Sequence, residues 1–272
     1  METPDALGII AGNGVYPLLL AQSARKAGMK KIVAAAFTGE TSAELAHAVD
    51  QIEWLRVGQL SRLLNFFRAT GIHHAIMAGQ IAPGNLFNLR PDWKALLLLA
   101  KLKRRNAESI FGAIAEELNR EHVQLLPAFT FLDHLLAPAG LIAGPKLKRR
   151  EENDVAFGFE TAKQLSQLNV GQTVVVKNGT VLAVEAFEGT NEAIKRGGAL
   201  GRKDAVMVKV TKPNQDMRFD VPVVGTETIR IAAEARVRVI AMEAGKTLLL
   251  EKESLIDLAE RSGISLVARR FG

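Results

Sequence analysis

The chain has 272 residues, 48% of them hydrophobic, with 35 basic and 29 acidic side chains and no cysteine. Lacking cysteine, it has no disulfide scaffold, no thiolate zinc site and no cysteine nucleophile. A net charge of +6 favours anionic partners, yet one Tyr, two Trp and no RNP, zinc-finger or basic-zipper pattern argue against nucleic acid. The start, METPDALGIIAGNG, has no basic region ahead of an apolar stretch, and no apolar run is long enough to span a bilayer. A cytoplasmic protein is the simplest expectation, and the length suits two domains.

The first half alternates short apolar runs with amphipathic stretches. Strands are predicted at 7–11, 31–37, 52–57 and 75–78, and helices at 15–27, 42–48 and 59–69. Gly28 and Gly71 stand where two of these helices should stop. Longer helices are predicted at 93–105 and 107–121, with a strand at 123–126. This alternation predicts an α/β fold with a Rossmann-like, mostly parallel sheet. Pro127, Pro138, Gly140, Gly144 and Pro145 then break the pattern, and a basic run closes the stretch at Lys146, Lys148, Arg149 and Arg150. The expected division is an N-terminal domain over 1–135, a linker over 136–150 and a C-terminal α/β catalytic domain over 151–272.

The second half begins with a predicted helix at 154–168, capped by Asn153 or Asp154. Strands at 173–176 and 181–186 flank Asn178-Gly179, a strong hairpin signal because both residues accept positive φ. A helix at 191–196 is expected to stop at Gly197-Gly198. Then come a strand at 205–210, a helix at 226–235, strands at 237–242 and 247–250, a helix at 252–262 and a last strand at 264–268.

Four stretches are candidate sites. Gly12, Asn13 and Gly14 follow the first strand, where glycines let backbone N–H groups approach a phosphate at a helix start. The stretch is no Walker motif, and Pro17 replaces the third glycine of a dinucleotide fingerprint. The second predicted strand also ends in Ala36-Phe37, without the acid that would hold a ribose, which argues against a nicotinamide-dependent oxidoreductase. Ala78, Gly79 and Gln80 end a later strand and are placed to line the same crevice. From Glu185 to Arg196 a strand ends in acids, Thr190 can cap the next helix, and Lys195 or Arg196 can neutralise phosphate. From Lys209 to Pro222 two prolines bracket carboxylates, amides and cations. There Asp216 and Asp220 can hold Mg²⁺ through oxygen, while Lys209, Lys212 and Arg218 meet phosphate. Each stretch has a plainer reading as a turn, a capped helix or a polar surface loop. The five histidines form no metalloprotease or nucleophile-elbow pattern.

Together these stretches resemble the LpxI family: Gly8 to Gly14 with Pro17, Ala78-Gly79-Gln80, Val184 to Asn191, and Lys212 to Pro222, in the same order over nearly the whole chain. One departure is Gln80, where a relative in the family has Asn. The resemblance implies a Rossmann-like domain, a C-terminal α/β domain and an active site between them. It also implies hydrolysis of UDP-2,3-diacylglucosamine to 2,3-diacylglucosamine 1-phosphate (lipid X) and UMP in lipid A biosynthesis, with Mg²⁺ or Mn²⁺ as cofactor. The family's essential aspartate maps onto Asp220, as metal ligand and catalytic residue, with Asp216 as a second ligand or base. Gly12, Asn13, Gly14, Ala78, Gly79, Gln80 and Thr190 map onto substrate-contacting segments, with Lys209, Lys212 and Arg196 as electrostatic helpers. Expected partners are a lipid-linked nucleotide sugar, the inner membrane surface as a peripheral contact, and a second copy of the chain. The alternative is a non-catalytic nucleotide-sugar or phospho-ligand binding protein.

Overall fold

A computed structural model describes residues 5–81, 91–103 and 106–270. The chain forms two units, one of Met1–Asp133 with Asp216–Asp220, the other of His134–Gln215 with Val221–Gly272.

The first unit runs β1 (Ala6–Ala11), α1 (Tyr16–Lys26), β2 (Lys31–Phe37), β3 (Gln51–Leu55), α2 (Leu60–Thr70), β4 (His74–Ala78), α3 (Trp93–Lys101), α4 (Ala107–Arg120) and β5 (Gln124–Leu125). The expected helix at 42–48 is a 3₁₀ turn at Ala43–His47. The strands make one parallel sheet in the order β3-β2-β1-β4-β5. β1 and β2 are buried over almost their whole length because helices cover both faces of a parallel sheet. Leu60, Leu63, Leu64 and Phe67 of α2 recur at helical spacing and are buried. Gly71 then takes the left-handed conformation, with φ 69°, that ends the helix. Asp92 caps α3 through the Ala95 N–H at 2.9 Å. This helix stops at Lys101, and the Arg104 and Arg105 of the longer expected helix lie outside the described residues. Strand order reverses between β1 and β4, the switch point where open α/β sheets bind ligands at their carboxyl ends.

Five residues from much later in the chain complete this unit. The Phe219 ring packs on the Phe111 ring of α4 at 5.8 Å, and the Ala128 N–H donates to the Met217 carbonyl at 2.7 Å.

The second unit runs β6 (Gly140–Ala143), α5 (Arg149–Gln167), β7 (Thr173–Lys177), β8 (Thr180–Val184), α6 (Thr190–Gly201), β9 (Ala205–Lys209), β10 (Val223–Val224), α7 (Thr226–Glu234), β11 (Val237–Glu243), β12 (Leu248–Leu249), α8 (Lys252–Arg261) and β13 (Ser265–Arg269). Its main sheet has the order β6-β13-β11-β9-β7-β8. The central β13, β11 and β9 are parallel, and β6, β7 and β8 add antiparallel edges. β10 and β12 form a separate parallel pair.

Two helices depart from expectation. α5 begins at Arg149, because the Glu151 carboxylate accepts the Lys148 N–H at 2.6 Å and draws the basic run into the first turn. Asp154 therefore lies inside the helix, buried, where it accepts the Asn178 and Gly179 N–H groups of the hairpin at 2.8 and 2.7 Å. α6 runs through Gly197-Gly198 to Gly201. These glycines mark close packing: a Cβ on Gly197 would sit 2.5 Å from Val175 of β7, and one on Gly198 2.4 Å from the Ala235 carbonyl.

Candidate functional site

The glycine turns after β1 and β4 are bolted together. The Gly12 N–H donates to the Ala78 carbonyl at 2.8 Å, and the Asn13 N–H donates to the Gln80 carbonyl at 2.7 Å. The Gln80 N–H returns a bond to the Asn13 carbonyl at 3.3 Å. No side chain larger than hydrogen fits between them, since a Cβ on Gly12 would meet the Gln80 carbonyl oxygen at 2.5 Å and one on Gly79 the Asn13 oxygen at 2.5 Å. Gly14, at φ +89°, faces open space. No side-chain hydrogen bond caps the first turn of α1. A cavity of ≈ 410 Å³ also opens in this unit, lined by Arg25, Lys26, His47 and Asp50 among others. Asp50 bonds Ile32 at the start of β2, so that cavity lies at the amino ends of the strands, opposite the glycine turns.

In the second unit Thr190 is the first residue of α6; Gly189, at φ 86°, occupies the cap position expected for Thr190. The threonine hydroxyl works sideways instead. It accepts from Lys209 Nζ at 2.7 Å and donates to Glu185 Oε1 at 2.7 Å. Lys209 and Glu185 are both buried, as is Thr173, whose hydroxyl lies 3.5 Å from that of Thr190. Glu185 Oε2 is buried with no hydrogen-bond partner among the described residues. Arg196 is committed elsewhere: it bonds the Val184 carbonyl at 2.9 Å and pairs with Glu188. The Glu188 N–H and Arg196 hold the Glu188 carboxyl below its ordinary value against a burial effect that raises it.

The loop after β9 starts from a buried anchor. Thr211 donates its N–H at 2.9 Å and its hydroxyl at 2.6 Å to Glu243 Oε2, which also takes Lys163 Nζ at 2.7 Å. Burial pushes the Glu243 carboxyl up, but the hydrogen bonds from Lys163, Lys246 and Thr211 outweigh it and bring it down to about 2. The Lys212 N–H then bonds Gln215 Oε1 at 2.7 Å. Asp216 opens a single turn, its carbonyl accepting the Phe219 and Asp220 N–H groups at 3.2 and 3.0 Å. Its carboxylate grips Arg218 with contacts of 2.9 and 2.6 Å, and this bond holds the acid below its usual range. A carboxylate so held is a poor proton acceptor and a satisfied ligand. Asp220 is half-buried at the end of the turn.

Among the described residues no group of three or more His, Cys, Asp or Glu is placed to hold an ion. Mg²⁺ uses one or two carboxylates and takes its other oxygens from phosphate and water, so Asp220 is a carboxylate of the kind such an ion would use. The sequence singled out Thr190, Lys209 and both aspartates. It missed Thr173, Lys163 and Glu243, which lack a local motif; Lys163 and Glu243 lie 80 positions apart. An acid at the end of an apolar strand was the available signal for Glu243.

A parallel sheet of order 3-2-1-4-5, glycine turns at its switch point and a second, mixed sheet define a Rossmann-like α/β protein with an additional α/β unit. Family comparison narrows this class: the LpxI N-terminal domain matches residues 6–135 and the LpxI C-terminal domain matches residues 138–267. The chain belongs to the LpxI family. It is 27% identical over 270 residues to the UDP-2,3-diacylglucosamine pyrophosphatase LpxI of Caulobacter vibrioides, covering 95% of each chain. Among solved structures, the biotin carboxylase domain of Hydrogenobacter thermophilus 2-oxoglutarate carboxylase is 12% identical, at a TM-score of 0.24 over 72% of this chain. The chain spans about two fifths (41%) of that protein, and so weak a likeness carries no argument. No helix among the described residues is long and apolar enough to cross a membrane.

Proposed function

We propose that the chain hydrolyses the pyrophosphate of UDP-2,3-diacylglucosamine, giving UMP and 2,3-diacylglucosamine 1-phosphate (lipid X) for lipid A biosynthesis. The observation that carries this reading is kinship to the Caulobacter pyrophosphatase across both units. Water adds its oxygen to one phosphorus and the bridging P–O bond breaks. Such a reaction needs alignment and charge neutralisation more than a strong nucleophile.

The residues present suit those needs. The uncapped start of α1 beyond Gly14 offers N–H groups to a phosphate. Lys209, held in line by Thr190, brings a fixed cation to the substrate, and Lys212 adds a second. Arg196, expected as a further cation, is paired with Glu188. Asp220 is the carboxylate that would hold Mg²⁺ or Mn²⁺, and the ion when bound would neutralise phosphate charge. Asp216 shapes the turn that presents Asp220 and keeps Arg218 in place. On this reading the protein would act at the cytoplasmic face of the inner membrane, where a substrate carrying acyl chains would reside.

The test is incubation with UDP-2,3-diacylglucosamine, with and without Mg²⁺, read by mass spectrometry. UMP and lipid X should form only with the ion; ligand retention without UMP release would instead favour a binding protein. Asp220→Ala should abolish turnover and leave the circular dichroism spectrum unchanged. Near-normal turnover in that variant rejects the role given to Asp220.

A further inference from the structure

The outward face of α3 is apolar. Ala95 and Leu98 turn into the first unit's core, while Trp93, Leu96 and Leu97 are 65%, 54% and 52% exposed. Ala100 is exposed as well. Positions 93, 96, 97 and 100 recur at helical spacing, so they form one stripe rather than scattered surface residues. Lys101 lies four residues after Leu97 and continues the same row, and Lys103 follows just past the helix end. Both lysines are exposed, and neither has an ion-pair partner among the described residues. The nearby Lys94, by contrast, is paired with Glu121 at 3.2 Å.

Charge chooses between the two surfaces that would cover such a stripe. A second copy docked on the same face would double the uncompensated positive charge, and lysine is depleted from protein interfaces. An anionic bilayer supplies the missing negative charge. It also suits Trp, whose ring settles at headgroup level, and lysine, whose stem lies along apolar surface.

We propose that α3 is a membrane-docking element, with Trp93, Leu96 and Leu97 entering the boundary of an anionic lipid surface and Lys101 and Lys103 meeting lipid phosphates. The proposal deepens the function argued above by naming how the protein reaches a lipid substrate, and its test needs no turnover. The full chain is mixed with phosphatidylcholine vesicles, with and without phosphatidylglycerol, and sedimented. In a Trp54→Phe background the Trp93 emission should shift to the blue only with the anionic vesicles. The pair Leu96→Gln and Leu97→Gln, and separately the pair Lys101→Glu and Lys103→Glu, should each weaken binding roughly tenfold or more. Added salt should weaken it too. Vesicle binding that is absent in the parent chain, or unchanged in both variants with unaltered circular dichroism, overturns the proposal. So does a concentration-dependent dimer that the leucine variants abolish while vesicles bind nothing. UMP release from detergent-dispersed substrate separates the two readings, since either can fail while the other stands.

Discussion

At Glu243 four hydrogen bonds converge on a carboxylate that is 2% exposed. Its folded value of about 2 lies below the ordinary 4.5, so the folded state binds the proton less readily than the unfolded chain. The stability from this group is therefore complete above about pH 4.5 and is lost as the pH falls toward 2. The shift corresponds to about 3 kcal/mol. Urea melts at pH 7 and pH 3 should show the parent chain losing much of this stability at the lower pH. Glu243→Gln should be weaker at pH 7 by about 2–3 kcal/mol, because Lys163 is left against a neutral partner, and flatter with pH. A variant with the parent's pH dependence would show that the network contributes nothing. None of this was legible in the sequence, where a single acid ends an apolar strand. The glycines of the β1 turn stood out in the sequence as a place for phosphate, whereas the structure shows Gly12 in close approach to the Gln80 backbone.

Helix α6 shows how an element can be read wrongly for a sound reason. Paired glycines usually stop a helix, since each costs about 1 kcal/mol in its interior relative to Ala. Here the penalty is outweighed by the packing that glycine permits against β7 and the end of α7. Gly198→Ala should thus destabilise the protein by about 1–2 kcal/mol, as overpacking outweighs the gain in helix propensity. Gly112 of α4 is the control: a Cβ there meets nothing within 4 Å. Gly112→Ala should leave stability unchanged or raise it by up to about 1 kcal/mol. Equal and favourable changes at both positions in chemical denaturation would contradict the packing account. The hairpin at Asn178-Gly179, by comparison, was fully legible, because its signal is local. What sequence could not show is that Asp154 of α5 accepts both of the turn's N–H groups.

On the scale of the whole molecule, the two structural units are not two consecutive segments. Asp216–Asp220 counts with the first unit although more than eighty residues of the second precede it. No sequence pattern announces this, because periodicity assigns residues to elements and says nothing of which core they join. One link is aromatic: Phe219 packs against the first unit's core, beside Phe111 of α4. It sits next to Asp220, so the residue before the proposed metal ligand ties the turn down. Phe219→Ala should therefore act on the first unit. In the intact chain, hydrogen exchange should quicken in α4 and at Ala128, while β9 and β11 keep their protection. The half-buried ring makes the expected loss about 1–3 kcal/mol, less than for a fully enclosed Phe. Turnover should fall as well, through a misplaced Asp220, and added Mg²⁺ should recover part of it, since a displaced ligand lowers affinity for the ion without removing the carboxylate. Faster exchange confined to β9 and β11 would place the five residues with the second unit and remove the basis for this coupling.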